Sequence, residues 1–205
     1  MQEPIEVVEA PAHFEQGVYV KYQKLKIYND DDPQNPRTEW DNFGHMIAFH
    51  RRYTLGDEGH GIDIGDFDGW DALEKYLIKE KEAAIILPLY LFDHSGITIN
   101  TTGFSCPWDS GQVGFTYVTR QEILDNWQEK RLTKDLKEKA RSLLVAEVQN
   151  FDDYLTGNVY GYILEDENGN EIWSCWGYSG DSAINQIKSE NDMLTPQYSV
   201  GKATA

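Results

Sequence analysis

The sequence predicts an α+β fold in one domain: a mostly antiparallel sheet with two to four helices packed on it. Three observations predict it. Short alternating apolar runs are grouped, with helical stretches set between the groups. Two of those runs flank Asn168-Gly169, the strongest short hairpin signal. The 205 residues contain 40 % hydrophobic and 13 % aromatic side chains, enough for a packed core in a chain of one-domain length.

Residues 1–16 read as an irregular acidic lead-in, and Gly17–Tyr28 as a strand, since GVYVKYQKLKIY alternates. Asn29–Arg37 is a loop, with three acids and two prolines in nine residues. Gly44–Tyr53 reads as a second strand, and Leu55–Gly69 as a long glycine- and aspartate-rich loop of the kind that carries function. A helix follows over Trp70–Glu82, with Asp68 as N-cap and Trp70, Leu73, Leu77 and Ile78 as its apolar stripe.

IILPLYLF, Ile85–Phe92, suits a covered central strand, but Pro88 cannot donate to a ladder, so the strand needs an edge position or a bulge there. Asp93–Gly96 is a turn, and Ile97–Thr102 alternates as a strand. FSCPWDSGQVGF, Phe104–Phe115, holds a connection that leads into a strand over Val113–Val118. Thr119 and Glu122 form a capping box that starts a helix. A second long helix spans about Thr133–Leu155, carrying Leu136, Ala140, Leu143, Leu144, Val148 and Phe151 at helical spacing and stopped by Gly157. Val159–Tyr178 is the hairpin, Asp181–Glu190 a closing helix, and 191–205 a loosely held tail.

The net charge is −17, from 35 acidic against 18 basic residues. Affinity for DNA, RNA or an anionic membrane surface comes from Lys and Arg neutralising phosphate, so that charge disfavours all three. It favours a protein partner with a basic surface. Cys106 and Cys175 are too few for a disulfide scaffold. The N-terminus lacks a signal pattern, and the longest apolar run, Ala83–Phe92, is half a membrane span, so a cytoplasmic protein is expected.

Candidate chemistry centres on Cys106. A cysteine nucleophile needs a histidine base in hydrogen-bond reach, and all five histidines precede Cys106. If residues 84–118 form a meander in sequence order, the His94 turn and the Cys106 loop lie at opposite ends of the middle strand, roughly 20 Å apart. His94 is thereby excluded and His50 stays available, so the candidate catalytic set is Cys106, His50 and Asp109, in a pocket that Arg51 completes as an anion clamp. Asp109-Ser110-Gly111 lacks both the apolar strand and the second copy that an aspartic protease requires, and a turn held by the Asp109 side chain explains it.

No metal site and no cofactor is expected. His45 and His50 face opposite sides of a strand, and there is no C-x-x-C. In GIDIGDFDGWD, taking Gly69 as the sixth position of a calcium loop puts Ile64 where an acid is required. No phosphate-cradling glycine motif is present.

Asp41–Glu58, Leu87–Phe115 and Tyr154–Asp166 together resemble a family of proteins encoded by phages, plasmids and integrative elements that has no assigned activity. The resemblance spans under a third of the chain and transfers no site. It implies an accessory protein of a mobile element, working inside a bacterial host, and small acidic proteins in that setting are often defence inhibitors. The leading expectation is a protein, more binder than enzyme, that engages and inhibits a host nucleic-acid-handling or defence protein. Its binding residues are then Asp57, Glu58, Asp63, Asp66, Asp68 and Asp71, with Trp108 as aromatic anchor and Arg51 beside them. The alternative is a small-ligand-binding protein or Cys/His enzyme using His50, Arg51, Cys106 and Asp109.

Overall fold

The structure, a computed structural model, describes residues 2–10, 13–15, 18–20 and 23–191. The α+β class expected from the sequence is what the chain forms, with antiparallel pairing throughout. Contacts divide the chain into two compact units, each with its own four-stranded sheet: residues 34–156, and a unit built from 1–33 and 157–205. The first is inserted in the chain of the second.

The split unit contains β1 (Glu6–Ala10), β2 (His13–Glu15), β3 (Val18–Val20), β4 (Gln23–Asn29), β9 (Val159–Glu165), β10 (Glu171–Ser179) and α5 (Ala183–Glu190). Its main sheet runs β1-β4-β9-β10, and β2 and β3 pair as a separate ribbon. The expected irregular lead-in is therefore wrong: Glu6–Ala10 pairs antiparallel with β4, alternating its side chains between solvent and core. Residues 17 and 21–22 of the expected Gly17–Tyr28 strand lie outside the described residues, as does the tail from 192. Leu25, Ile27, Tyr162 and Leu164 close onto Ile187 of α5 to form this unit's core. The β9–β10 hairpin forms around Asn168-Gly169 as expected. Its turn is organised by Asp166, whose carboxylate accepts the backbone N–H groups of Asn168 and Asn170 at 2.8 and 2.9 Å.

The inserted unit begins with α1 (Pro36–Glu39), then β5 (His45–Ala48), a one-turn 3-10 helix over Ile64–Asp66, α2 (Trp70–Glu80), β6 (Ala83–Asp93), β7 (Ile97–Asn100), β8 (Ser110–Thr119), α3 (Arg120–Trp127) and α4 (Lys134–Thr156). The strand order is β5-β8-β6-β7. Helix α4 covers one face through Leu136, Ala140, Leu144, Val148 and Phe151, packing on Ile85, Leu87, Leu89 and Leu91 of β6; Leu143, expected in the same stripe, is only half-buried and stays outside that core. Helix α2 covers the other face, with Leu73 and Leu77 against Ile47, Phe115 and Tyr117. Ile78, expected in that stripe, is 53 % exposed, and Asp68 does not cap α2. The cap position is Gly69 at φ 80°, a backbone conformation that an aspartate there would resist.

Pro88 sits in a central strand without breaking it. Strand β7 pairs with β6 only from Tyr90 onward, and a bulge separates Leu89 from Tyr90. The proline therefore lies where one flank of the strand has no paired strand among the described residues, which is the edge-type position its missing N–H allows, while the bulge falls after it.

Arg37 ties the start of this unit to the rest. Its side chain is 1 % exposed. It donates to Asp57 Oδ1 from Nε at 2.8 Å and from a terminal nitrogen at 2.6 Å, to Asn42 Oδ1 at 2.8 Å and to the Gly44 carbonyl at 2.8 Å. Glu147 of α4 approaches it at 3.6 Å and accepts the backbone N–H groups of Phe43 and Gly44. Burial pushes the Glu147 carboxyl up, against the pull of those N–H groups and of Arg37. Truncating one partner of such a buried network strands the others. Arg37→Ala should therefore cost about 3–5 kcal/mol in urea unfolding. Lys79→Ala, which removes an exposed pair with Glu80, should cost about 0.5 kcal/mol or less.

The capping box at α3 is present in both directions: Thr119 accepts from the Glu122 N–H, and Glu122 accepts from the Thr119 N–H and hydroxyl at 2.9 and 2.8 Å. His45 reaches the same carboxylate at 2.7 Å. Burial works to raise the Glu122 carboxyl, but Thr119 and His45 outweigh it and hold it below its ordinary 4.5. A depressed carboxyl stabilises the fold above its unfolded value and loses that contribution as the pH falls through the folded one. Glu122→Gln should thus be less stable than the parent at pH 7, with the difference closing as urea midpoints are followed down through pH 4.5.

Candidate functional site

The inserted unit's pairing sends a group of loops to one end of its sheet. Strand β5 pairs antiparallel with β8, and β8 with β6, so Ala48 ending β5, Asp93 ending β6 and Ser110 starting β8 lie at the same end. The 49–69 loop, the 94–96 turn and the 101–109 connection therefore all open there. So does the N-terminus of α2, which runs back toward the start of β6.

This order overturns the meander assumed from the sequence. Strand β6, not β7, lies between the hairpin neighbours, and β8 pairs with β6. After the short β7 the chain must climb back past it before β8 can start beside Phe92. That return brings the Cys106 loop to the His94 turn. The Asp93 N–H donates to the Asp109 carbonyl at 2.8 Å, and His94 Nδ1 lies 3.2 Å from Asp109 Oδ2. Cys106 Sγ is 3.8 Å from the same oxygen. His94, excluded on distance by the sequence argument, is thus the histidine that Asp109 joins to Cys106. The Cys106 carbonyl accepts the Ser110 hydroxyl, which fixes the base of the loop.

His50 stands elsewhere at this end. Its Nε2 is 3.8 Å from Asp93 Oδ2, the oxygen that Arg52 also contacts. Tyr53 stacks on the His50 ring at 5.0 Å, and the Arg52 guanidinium lies 5.4 Å from the Tyr53 ring centre. The expected pocket of His50, Arg51, Cys106 and Asp109 is accordingly divided. His50 and Arg51 line a cleft of about 660 Å3 formed by residues 48–64, and neither Cys106 nor Asp109 lines it. Asp93 and Arg52, which bind these groups together, carried no motif. They are legible only once β6 and the 49–69 loop are known to meet.

The acidic residues proposed for binding also separate. Asp57 is not part of an acidic surface, because its carboxylate is held by Arg37 on one oxygen and by the Met46 N–H at 2.8 Å on the other. Asp63 caps the 3-10 turn by accepting the Gly65 N–H at 2.9 Å, yet remains exposed. Glu58, Asp66, Asp68 and Asp71 are exposed as well. Trp108 is 92 % exposed, more than any other large apolar side chain described. Among the described residues no group of three or more His, Cys, Asp or Glu side chains converges to hold a metal ion, and no helix is long and apolar enough to cross a membrane.

No family model, curated protein or solved structure matches the chain.

The outward position of Trp108 has a direct optical consequence. Trp108→Phe should remove a red-shifted, acrylamide-quenchable part of the emission from the six tryptophans. It should change stability by less than about 0.5 kcal/mol, since the ring packs on little.

Proposed function

We propose that this protein is an acidic binding protein of a mobile genetic element, which engages and inhibits a basic host protein, of the kind that handles nucleic acid or defends the cell, in the bacterial cytoplasm. The observation that carries the reading is the exposure of Trp108 at the sheet end where Glu58, Asp63, Asp66, Asp68 and Asp71 also emerge. A large aromatic ring held in solvent loses apolar burial for nothing unless a partner covers it, and tryptophan is among the commonest interface anchors. Exposed carboxylates near such an anchor give steering and orientation toward a basic surface. The net charge of −17 extends the same preference over the whole chain.

Tagged protein should capture a basic partner from a bacterial host lysate, identified by mass spectrometry and then tested in purified form. Binding should weaken about tenfold or more on raising salt. It should weaken similarly when Asp63→Lys, Asp66→Lys and Asp68→Lys are combined, and Trp108→Ala should cost about 2 kcal/mol. Binding indifferent to salt, to the three charge reversals and to Trp108 would refute the reading.

A further inference from the structure

The cleft at residues 48–64 presents hydrogen-bond donors that the fold leaves without acceptors. The Arg52 N–H donates to His50 Nδ1 at 3.3 Å, and the Ile62 N–H donates to His60 Nδ1 at 3.1 Å. A neutral imidazole has one donor and one acceptor nitrogen, so both rings carry their proton on Nε2. The Nε2 of His50 faces Asp93 Oδ2 only at 3.8 Å, beyond hydrogen-bond reach, and that oxygen already serves Arg52. The Nε2 of His60 has no hydrogen-bond partner among the described residues. Its ring is fixed edge-on against Phe49 at 5.6 Å, and Tyr53 stacks on His50.

Arg51 lines the same cleft and is exposed. Arg37 and Arg52 are each paired with a carboxylate, whereas Arg51 makes no ion pair among the described residues. Arg120, Arg131 and Arg141 make no ion pair among the described residues either, but of these four free guanidinium groups only that of Arg51 lines this cleft. Of the two acids that line the cleft, Asp57 is held by Arg37 and Met46, and Glu58 is exposed and unpaired.

We propose that this cleft binds a small oxyanion, a phosphate or carboxylate group of a small molecule, through the Nε2–H groups of His50 and His60 and the guanidinium of Arg51. Two imidazoles whose tautomer is set by the backbone are preorganised donors, and the guanidinium fork matches two oxygens of one anion. About 660 Å3 accommodates the anion together with a body of modest size. Glu58 repels such a ligand and limits its affinity. The proposal does not depend on the acidic-surface reading, because its ligating groups, His50, His60 and Arg51, and its ligand differ from those of the protein interface, and Glu58 alone is shared.

The test is a titration of the full chain, carrying 15N-labelled histidine, with inorganic phosphate and separately with acetate, at ionic strength held constant with sodium chloride. The Nε2 resonances of His50 and His60 should shift saturably, with the tighter of the two probes identifying the anion class. Arg51→Gln should weaken the binding about tenfold, the worth of one charged hydrogen-bonding group. Glu58→Gln should tighten it. Absence of a saturable shift with both probes, or full affinity in Arg51→Gln, overturns the proposal. Arg51 is exposed, so its replacement leaves the fold intact and the second outcome remains readable.

Discussion

The inserted unit is organised around one buried cation. Arg37 is nearly sealed from water, and its fixed, planar set of donors selects its surroundings: the Asp57 carboxylate, the Asn42 amide oxygen and the Gly44 carbonyl. Asn42 and Gly44 lie just before β5 and Asp57 lies in the loop after it, so the partners flank that strand on both sides. Asp57 passes the constraint to β5 by accepting the Met46 N–H, and Glu147 passes it to α4 by holding the Phe43 and Gly44 N–H groups. A Cβ on Gly44 would lie 2.1 Å from Leu144 Cδ2 of α4, so any larger residue there would displace that core side chain. One network therefore fixes where the acidic loop begins, how β5 enters the sheet and where the long helix lies.

The same constraint explains why the acids of residues 57–71 are not equivalent. Asp57 is a structural counter-ion, and Asp63 caps a turn while staying in solvent. The acids after it have no such duty. Charge content alone describes the whole segment as a negative loop, but the packing shows that its first acid anchors the loop and the later ones face water.

Much of the fold was legible because its determinants are local. Thr119 and Glu122 lie three residues apart and cap α3 with no help from distant chain. The stripe from Leu136 to Phe151 needs only helical periodicity, and Asn168-Gly169 reports its own turn. The failures are non-local. The β1 strand alternates over five residues, two of them glutamates, and only its pairing with β4 identifies it as a strand. The site was misread for the same reason. Distances between Cys106, Asp109 and His94 depend on whether β8 lies beside β7 or β6, and nothing in residues 93–110 encodes that choice. It is made by the long pairing of β6 with β8 over Ala83–Phe92, against which the four-residue β7 covers only Tyr90–Asp93.

The insertion of one unit within the other has a consequence for how the chain is made. Strands β4 and β9 pair directly, Asn29 opposite Tyr160, although all of residues 34–156 lies between them in sequence. On the ribosome, β4 emerges early and must wait for its partner while the whole inserted unit is synthesised. That unit is continuous in sequence and can compact as soon as it leaves the exit tunnel. Once it has done so, the long loop that β4 and β9 must close is already shortened, and its entropic cost is reduced. The order of synthesis thus favours the acidic loops and their cleft forming first, with the sheet of the split unit completed last by the C-terminal hairpin.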